Sequence, residues 1–130
     1  MPQINGKFDV TLANQPHEEN VGDPSIGRRS ISKQFHGELN ATSQGQMLAI
    51  GGSVPGSAGY VAIEKVSGIL AGRSGSFALQ HSGIMNCGTP SLTITVVPDS
   101  GTDELTGLTG TMGINIVEGA HFYEFEYALG

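Results

Sequence analysis

Two ionisable side chains stand in strand-like runs whose other members look built for a core. Glu64 lies in "YVAIEKVSG" (60–68), and His81 ends "GRSGSFALQH" (72–81). A carboxylate placed among apolar groups needs a partner, or it takes up a proton. A histidine meets that need, and it exchanges protons near neutral pH. A carboxylate–imidazole pair is therefore a candidate for general acid–base chemistry. The same pair can also serve only to satisfy polar atoms in a core, and the residue types leave both readings open.

Whether the two meet depends on a hairpin. The link "GRSG" suggests Arg73 and Ser74 at the tip, which pairs Gly72 with Gly75. Leu70 then faces Phe77, Val66 faces His81, and Glu64 faces Gly83. Side chains alternate between faces along a strand. Tyr60, Ala62, Glu64 and Val66 thus share a face with Phe77, Leu79, His81 and Met85. Glu64 and His81 become diagonal cross-strand neighbours. The opposite face is more polar, so the Glu64 face is the expected interior. Tyr60, Phe77 and Leu79 would line any ligand space there. A loop one residue longer or shorter would exchange His81 for Gln80.

Other residues carry weaker signals. His121 begins the last run, with Tyr123, Phe125 and Tyr127 on its face. That aromatic row would line a lumen or cover an interface, and Tyr123 and Phe125 join the expected ligand-binding set. Arg73 would be exposed at a hairpin tip, or would guard a barrel mouth and hold a carboxylate ligand. His36 has the parity of Ser32, Gln34 and Glu38, a solvent-facing pattern. His17 sits beside Glu18 and Glu19 without converging metal ligands. Cys87 has no neighbouring histidine to activate it. "GRSGS" and "DSGTDELTG" lack the spacing and the strand–helix context of phosphate loops. No metal and no cofactor is expected.

The elements that must position these residues are strands. The chain has 130 residues, 20 of them scattered glycines, which suits one domain with many tight turns. Net charge is −6, from 12 acids against 6 bases, and no basic stripe runs along the chain. Nucleic acid and anionic membrane surfaces are therefore not expected partners. The single cysteine excludes an internal disulfide. "MPQINGKFDV" does not read as a secretory signal, and no run is long enough for a membrane span, so a cytoplasmic protein is expected.

Eight apolar-alternating runs follow one another. They are "GKFDVTLA", "RRSISKQFHGELNATS", "GQMLAIGG", "GSAGYVAIEKVSGIL", "SGSFALQHSGIM", "SLTITVVP", "GTMGINIVEG" and "AHFYEFEYALG". Residues 14–27 form a long surface loop. One helical turn fits near 102–107, with Thr102 as cap and Leu105 and Leu108 plugging one end. The predicted fold is all-β, an eight-stranded antiparallel barrel spanning 1–130, with a sandwich as the alternative. Val61, Ile63 and Ile69 would face outward and favour a homodimer or larger homo-oligomer.

"GRSGSFALQH" together with "VVPDSGTDELTGLTG" (96–110), "FHGEL" and "YVAIEKVSG" resembles a family of small bacterial proteins of unknown function. That family looks like a relative of the allene oxide cyclase and dirigent barrels. The resemblance implies a self-associating eight-stranded barrel with a lumen open at one end. It brings no reaction and no functional residues with it. The expected function is small-molecule binding, with isomerisation or cyclisation of an apolar substrate at Glu64 and His81. The alternatives are a non-catalytic carrier and a structural oligomer with a filled interior.

Overall fold

The computed structural model describes residues 2–16 and 18–130. Eight strands follow one another: β1 (Gln3–Gln15), β2 (Gly27–Phe35), β3 (Leu39–Gly51), β4 (Ala58–Leu70), β5 (Arg73–Asn86), β6 (Thr89–Val96), β7 (Leu108–Val117) and β8 (Ala120–Leu129). Each pairs antiparallel with the next, and β8 returns to β1, closing the barrel in chain order. The one helical element among the described residues is a 3₁₀ turn, Asp103–Leu105. The all-β barrel and its short turn are therefore as the sequence pattern predicts.

One boundary differs. "RRSISKQFHGELNATS" is not a single strand but two, broken at His36–Glu38, where Gly37 takes a φ of 100°. A positive φ of this kind is available to glycine at no steric cost. Phe35 and Leu39 flank the break and both point inward, so the hydrophobic parity continues across it. That continuity hides the turn in the sequence. β3 then runs unbroken through "GQMLAIG", which restores the count of eight.

The hairpin register also differs. Leu70 pairs with Arg73 and Gly68 with Gly75, so the tip is Ala71–Gly72, not Arg73–Ser74. Ala71 and Gly72 have φ of 48° and 83°. Two successive positive φ values make a turn whose twist matches the flanking strands. Cys87–Gly88 and Glu118–Gly119 form the other two tight turns in the same way. The correction amounts to an even number of residues, so every side chain keeps the face it was expected to have.

The two ends of the barrel are unlike. At one end the interior is filled. Phe77 and Phe125 stack at 5.8 Å, and Phe35 meets Tyr123 edge-on at 5.6 Å. Leu105 and Leu108, each 1% exposed, close that end as the sequence suggests. The segment 97–104 seals β5 there. Ser76 N–H donates to Thr102 Oγ1, Ala78 N–H to Ser100 Oγ and Ser74 N–H to Glu104 Oε1. Thr102 thus uses its hydroxyl on β5 and does not cap the 3₁₀ turn with it.

At the other end the wall is split. β6 and β7 share only two residue pairs, Ile94–Met112 and Thr95–Thr111. Beyond them, 89–93 of β6 and 113–117 of β7 have no partner across the seam. Inward-parity apolar residues are well exposed at this end, Met85 by 39%, Leu92 by 40% and Ile116 by 65%. Among the described residues no helix is long and apolar enough to cross a membrane.

Candidate functional site

Glu64 sits on β4 at the boundary between the filled half and the split half. It is flanked by Gly45 of β3 and Leu79 of β5. Gly83, expected opposite Glu64, instead faces Tyr60. The space beside the carboxylate comes from Gly45. A Cβ there would collide with the Ile63 carbonyl oxygen and with Glu64 itself.

The carboxylate is fully buried and has three partners from three other strands. His81 Nε2 (β5) lies 2.6 Å from Oε2. Lys33 Nζ (β2) donates to the same oxygen at 2.8 Å. Ser43 Oγ (β3) donates to Oε1 at 2.7 Å. All four residues are buried. Lys33 Nζ also lies over the faces of Phe8 and Phe35, at 5.1 and 5.6 Å from their centroids. Electron-rich ring faces attract a cation most where water is scarce.

Burial alone would push the Glu64 pKa up. The His81 hydrogen bond, the Lys33 charge and the Lys33 and Ser43 hydrogen bonds outweigh it, and hold the carboxyl at about 2. Glu64 is therefore ionised throughout the physiological range. An ionised carboxylate only accepts hydrogen bonds. His81 must then carry its proton on Nε2. In the neutral ring this leaves Nδ1 with a free lone pair.

Nδ1 is not sealed in. Among the described residues no fully buried side-chain nitrogen or oxygen lacks a partner, and Nε2 makes the only side-chain hydrogen bond of His81. Nδ1 therefore reaches the accessible surface. The half-buried Tyr60 stands one position nearer the split end of β4, its ring 6.4 Å from the His81 ring. Its hydroxyl makes no hydrogen bond to the described residues, so it too is accessible. Burial, and then the Glu64 charge, raise the Tyr60 pKa above its usual 10.

The sequence-predicted residues fall into two groups. Glu64, His81 and Tyr60 come together. Phe77, Leu79, Tyr123 and Phe125, each at most 1% exposed, lie in the packed core. Tyr123 has a structural task, donating to the His36 carbonyl at 2.7 Å and accepting from Leu39 N–H at 3.3 Å. Arg73 is exposed and lies at the filled end beside Leu70 and Tyr127, in a hollow of about 410 Å³. It does not stand at the split end. His121 packs on Phe8 at 5.3 Å. His36 is half-exposed and meets Asp9 at 2.8 Å. His17 lies outside the described residues. Cys87 is exposed in its turn, 3.8 Å from Ser57 Oγ.

Lys33 and Ser43 were not singled out from the sequence. The signal was parity. Lys33 alternates with Ile31 and Phe35, and Ser43 with Leu39 and Ala41, all inward. A groove of about 850 Å³ also crosses the outer wall of β3 and β4, between Arg28, Leu48, Val61, Ile63 and Lys65. None of the four buried polar residues lines it. We place the site at the inner cluster, because among the described residues it is where several buried titratable groups converge.

Fold and site together define a closed eight-stranded barrel with one buried carboxylate on β4 held by side chains of three other strands. Residues 4–127 match a family described as protein of unknown function (DUF3224), and the chain belongs to that family. A solved structure of a DUF3224-family protein of unknown function from Shewanella oneidensis MR-1 is similar throughout. The identity is 52%, covering 100% of this chain and 98% of that one, with a TM-score of 0.92. No curated protein matches.

Proposed function

We propose that the protein binds a small, largely apolar molecule at the split end of its barrel, with His81 and Tyr60 as the polar contacts. One observation carries this reading. Two polar atoms, His81 Nδ1 and the Tyr60 hydroxyl, have no hydrogen-bond partner among the described residues, and the split end of the barrel beyond them carries inward-parity apolar residues exposed by 39–65%. Ligand sites commonly combine apolar walls with a few fixed polar groups. Glu64, Lys33 and Ser43 form the floor that keeps His81 in one orientation.

Native mass spectrometry of the purified protein, with displacement of an apolar fluorescent dye, tests it. The expected result is a non-covalent adduct or dye uptake that weakens in His81→Gln and Tyr60→Phe. A clean mass with no dye uptake would leave a structural barrel as the better account. The outer wall favours that second reading. Leu48, Val61, Ile63 and Ile84 are exposed by 45–57% on adjacent strands, which suits contact between copies. The same spectrum reads the oligomeric state.

A further inference from the structure

The geometry points to a proton-transfer site for enolisable ketones, with His81 as the base and Tyr60 as the donor to the carbonyl oxygen. This inference rests on the binding reading above and adds a reaction to it. Glu64 fixes the histidine in the tautomer that presents a lone pair at Nδ1. It also faces the imidazolium that forms when Nδ1 takes a proton, and so stabilises the charge that develops. Lys33 and Ser43 hold the carboxylate from the far side, so it cannot swing away from His81.

Tyr60 is positioned as deliberately. Its ring lies across Gly83 of β5, and a Cβ at that residue would collide with the ring. Gly83 is thus the notch that lets Tyr60 lean toward His81. A hydroxyl whose pKa is raised keeps its proton and stays a donor. One acceptor and one donor are then carried on rings 6.4 Å apart, which suits a carbonyl oxygen and the hydrogen on its neighbouring carbon. The charged and titratable groups near the His81 ring are Glu64 and Tyr60 from β4 and, through Glu64, Lys33 from β2. Strand β3 offers the Ser43 hydroxyl, and β6 places only Ile94 opposite His81.

The step balances without a co-reactant. The α-carbon–hydrogen bond breaks, and the proton goes to His81 Nδ1. The electron pair moves into the carbonyl, and the enolate oxygen accepts a hydrogen bond from Tyr60. With a β,γ-unsaturated ketone, return of the proton to the γ-carbon gives the conjugated isomer and restores the neutral histidine. Met85, Leu92 and Ile116 supply apolar surface on the same side of the wall.

The test uses the full chain and cyclohex-3-en-1-one. Conversion to the conjugated enone is followed by absorbance, and deuterium uptake at the α-carbon by NMR. Wild type should isomerise the ketone above the buffer rate. His81→Gln should lose about 10²-fold or more of that rate, as expected for a removed base. Tyr60→Phe should lose about 10²-fold in kcat with little change in KM. Glu64→Gln should lower kcat with little change in KM, because the imidazolium formed during the step loses its counter-charge. A merely structural role would not confine the loss to kcat. Should Glu64→Gln fail to fold, the His81 and Tyr60 variants decide alone, with circular dichroism confirming their fold. Ketone binding without isomerisation or exchange overturns the proposal and leaves the binding reading standing. No binding by any ketone or dye overturns both.

Discussion

At the scale of single residues, the charge on Glu64 governs the acid response of the fold. Its pKa falls from an ordinary 4.5 to about 2 in the folded chain. A group depressed on folding stabilises the fold fully above its unfolded pKa, and that contribution is lost as pH drops through the folded value. Between pH 4.5 and 2 the fold should therefore lose on the order of 3 kcal/mol from this residue. Urea midpoints should fall steeply over that window in wild type and less so in Glu64→Gln. Equal slopes in the two proteins would contradict the assignment. Lys33→Met should cost about 3–5 kcal/mol, since it strips a buried anion of its cation. Adding Glu64→Leu to that variant should recover a large part of the loss in the same assay. The sequence made Glu64 and His81 readable because both interrupt apolar parity. It left Lys33 and Ser43 unread because a lysine or serine in an alternating strand ordinarily faces water. Only the register of the β2–β3–β4 ladder, which sets Lys33 opposite Ser43 and Ser43 opposite Val66, brings the two beside the carboxylate.

At the scale of elements, spacing was more legible than turns. The inward and outward sets of β4 and β5 were correct despite the shifted register, because parity survives an even shift. The tip was misread because Ala71 does not advertise a positive φ, whereas the Gly–Arg–Ser–Gly stretch looks like a loop. The break at His36–Glu38 was invisible for the same reason of parity. Gly45 was unremarkable in sequence, yet it is where β3 must pass directly against Glu64. Gly45→Ala should destabilise by more than about 2 kcal/mol, the range of overpacked sites, and should disturb the histidine. NMR shifts of the His81 ring would reveal it, and an unmoved ring would show that β3 can yield. Leu105→Ala should cost about 2–5 kcal/mol by opening a cavity in the plug. It should leave the acid dependence of stability unchanged, because the plug and the carboxylate occupy different halves of the barrel.

At the scale of the whole molecule, the sequence reading reached the barrel through the number of strands and the scarcity of helical periodicity. Closure itself was not in the pattern. It depends on Gln3–Phe8 pairing with His121–Glu126 across nearly the full chain, and no local signal records that. The uneven seam was equally hidden. It makes the barrel a loop of fabric with one short row of stitches between β6 and β7. Unravelling should start at that row, and each neighbouring ladder can then peel only from there. Amides of 113–117 that face the seam should exchange with solvent as readily as loop amides, while those at the centre of β3 and β4 wait for global unfolding. Uniform protection around the ring would show that the row is tighter than its two pairs imply. A cysteine pair engineered at Thr95 and Thr111, which face each other in that row, would lock the stitch, and its oxidation should slow unfolding far more than it speeds folding.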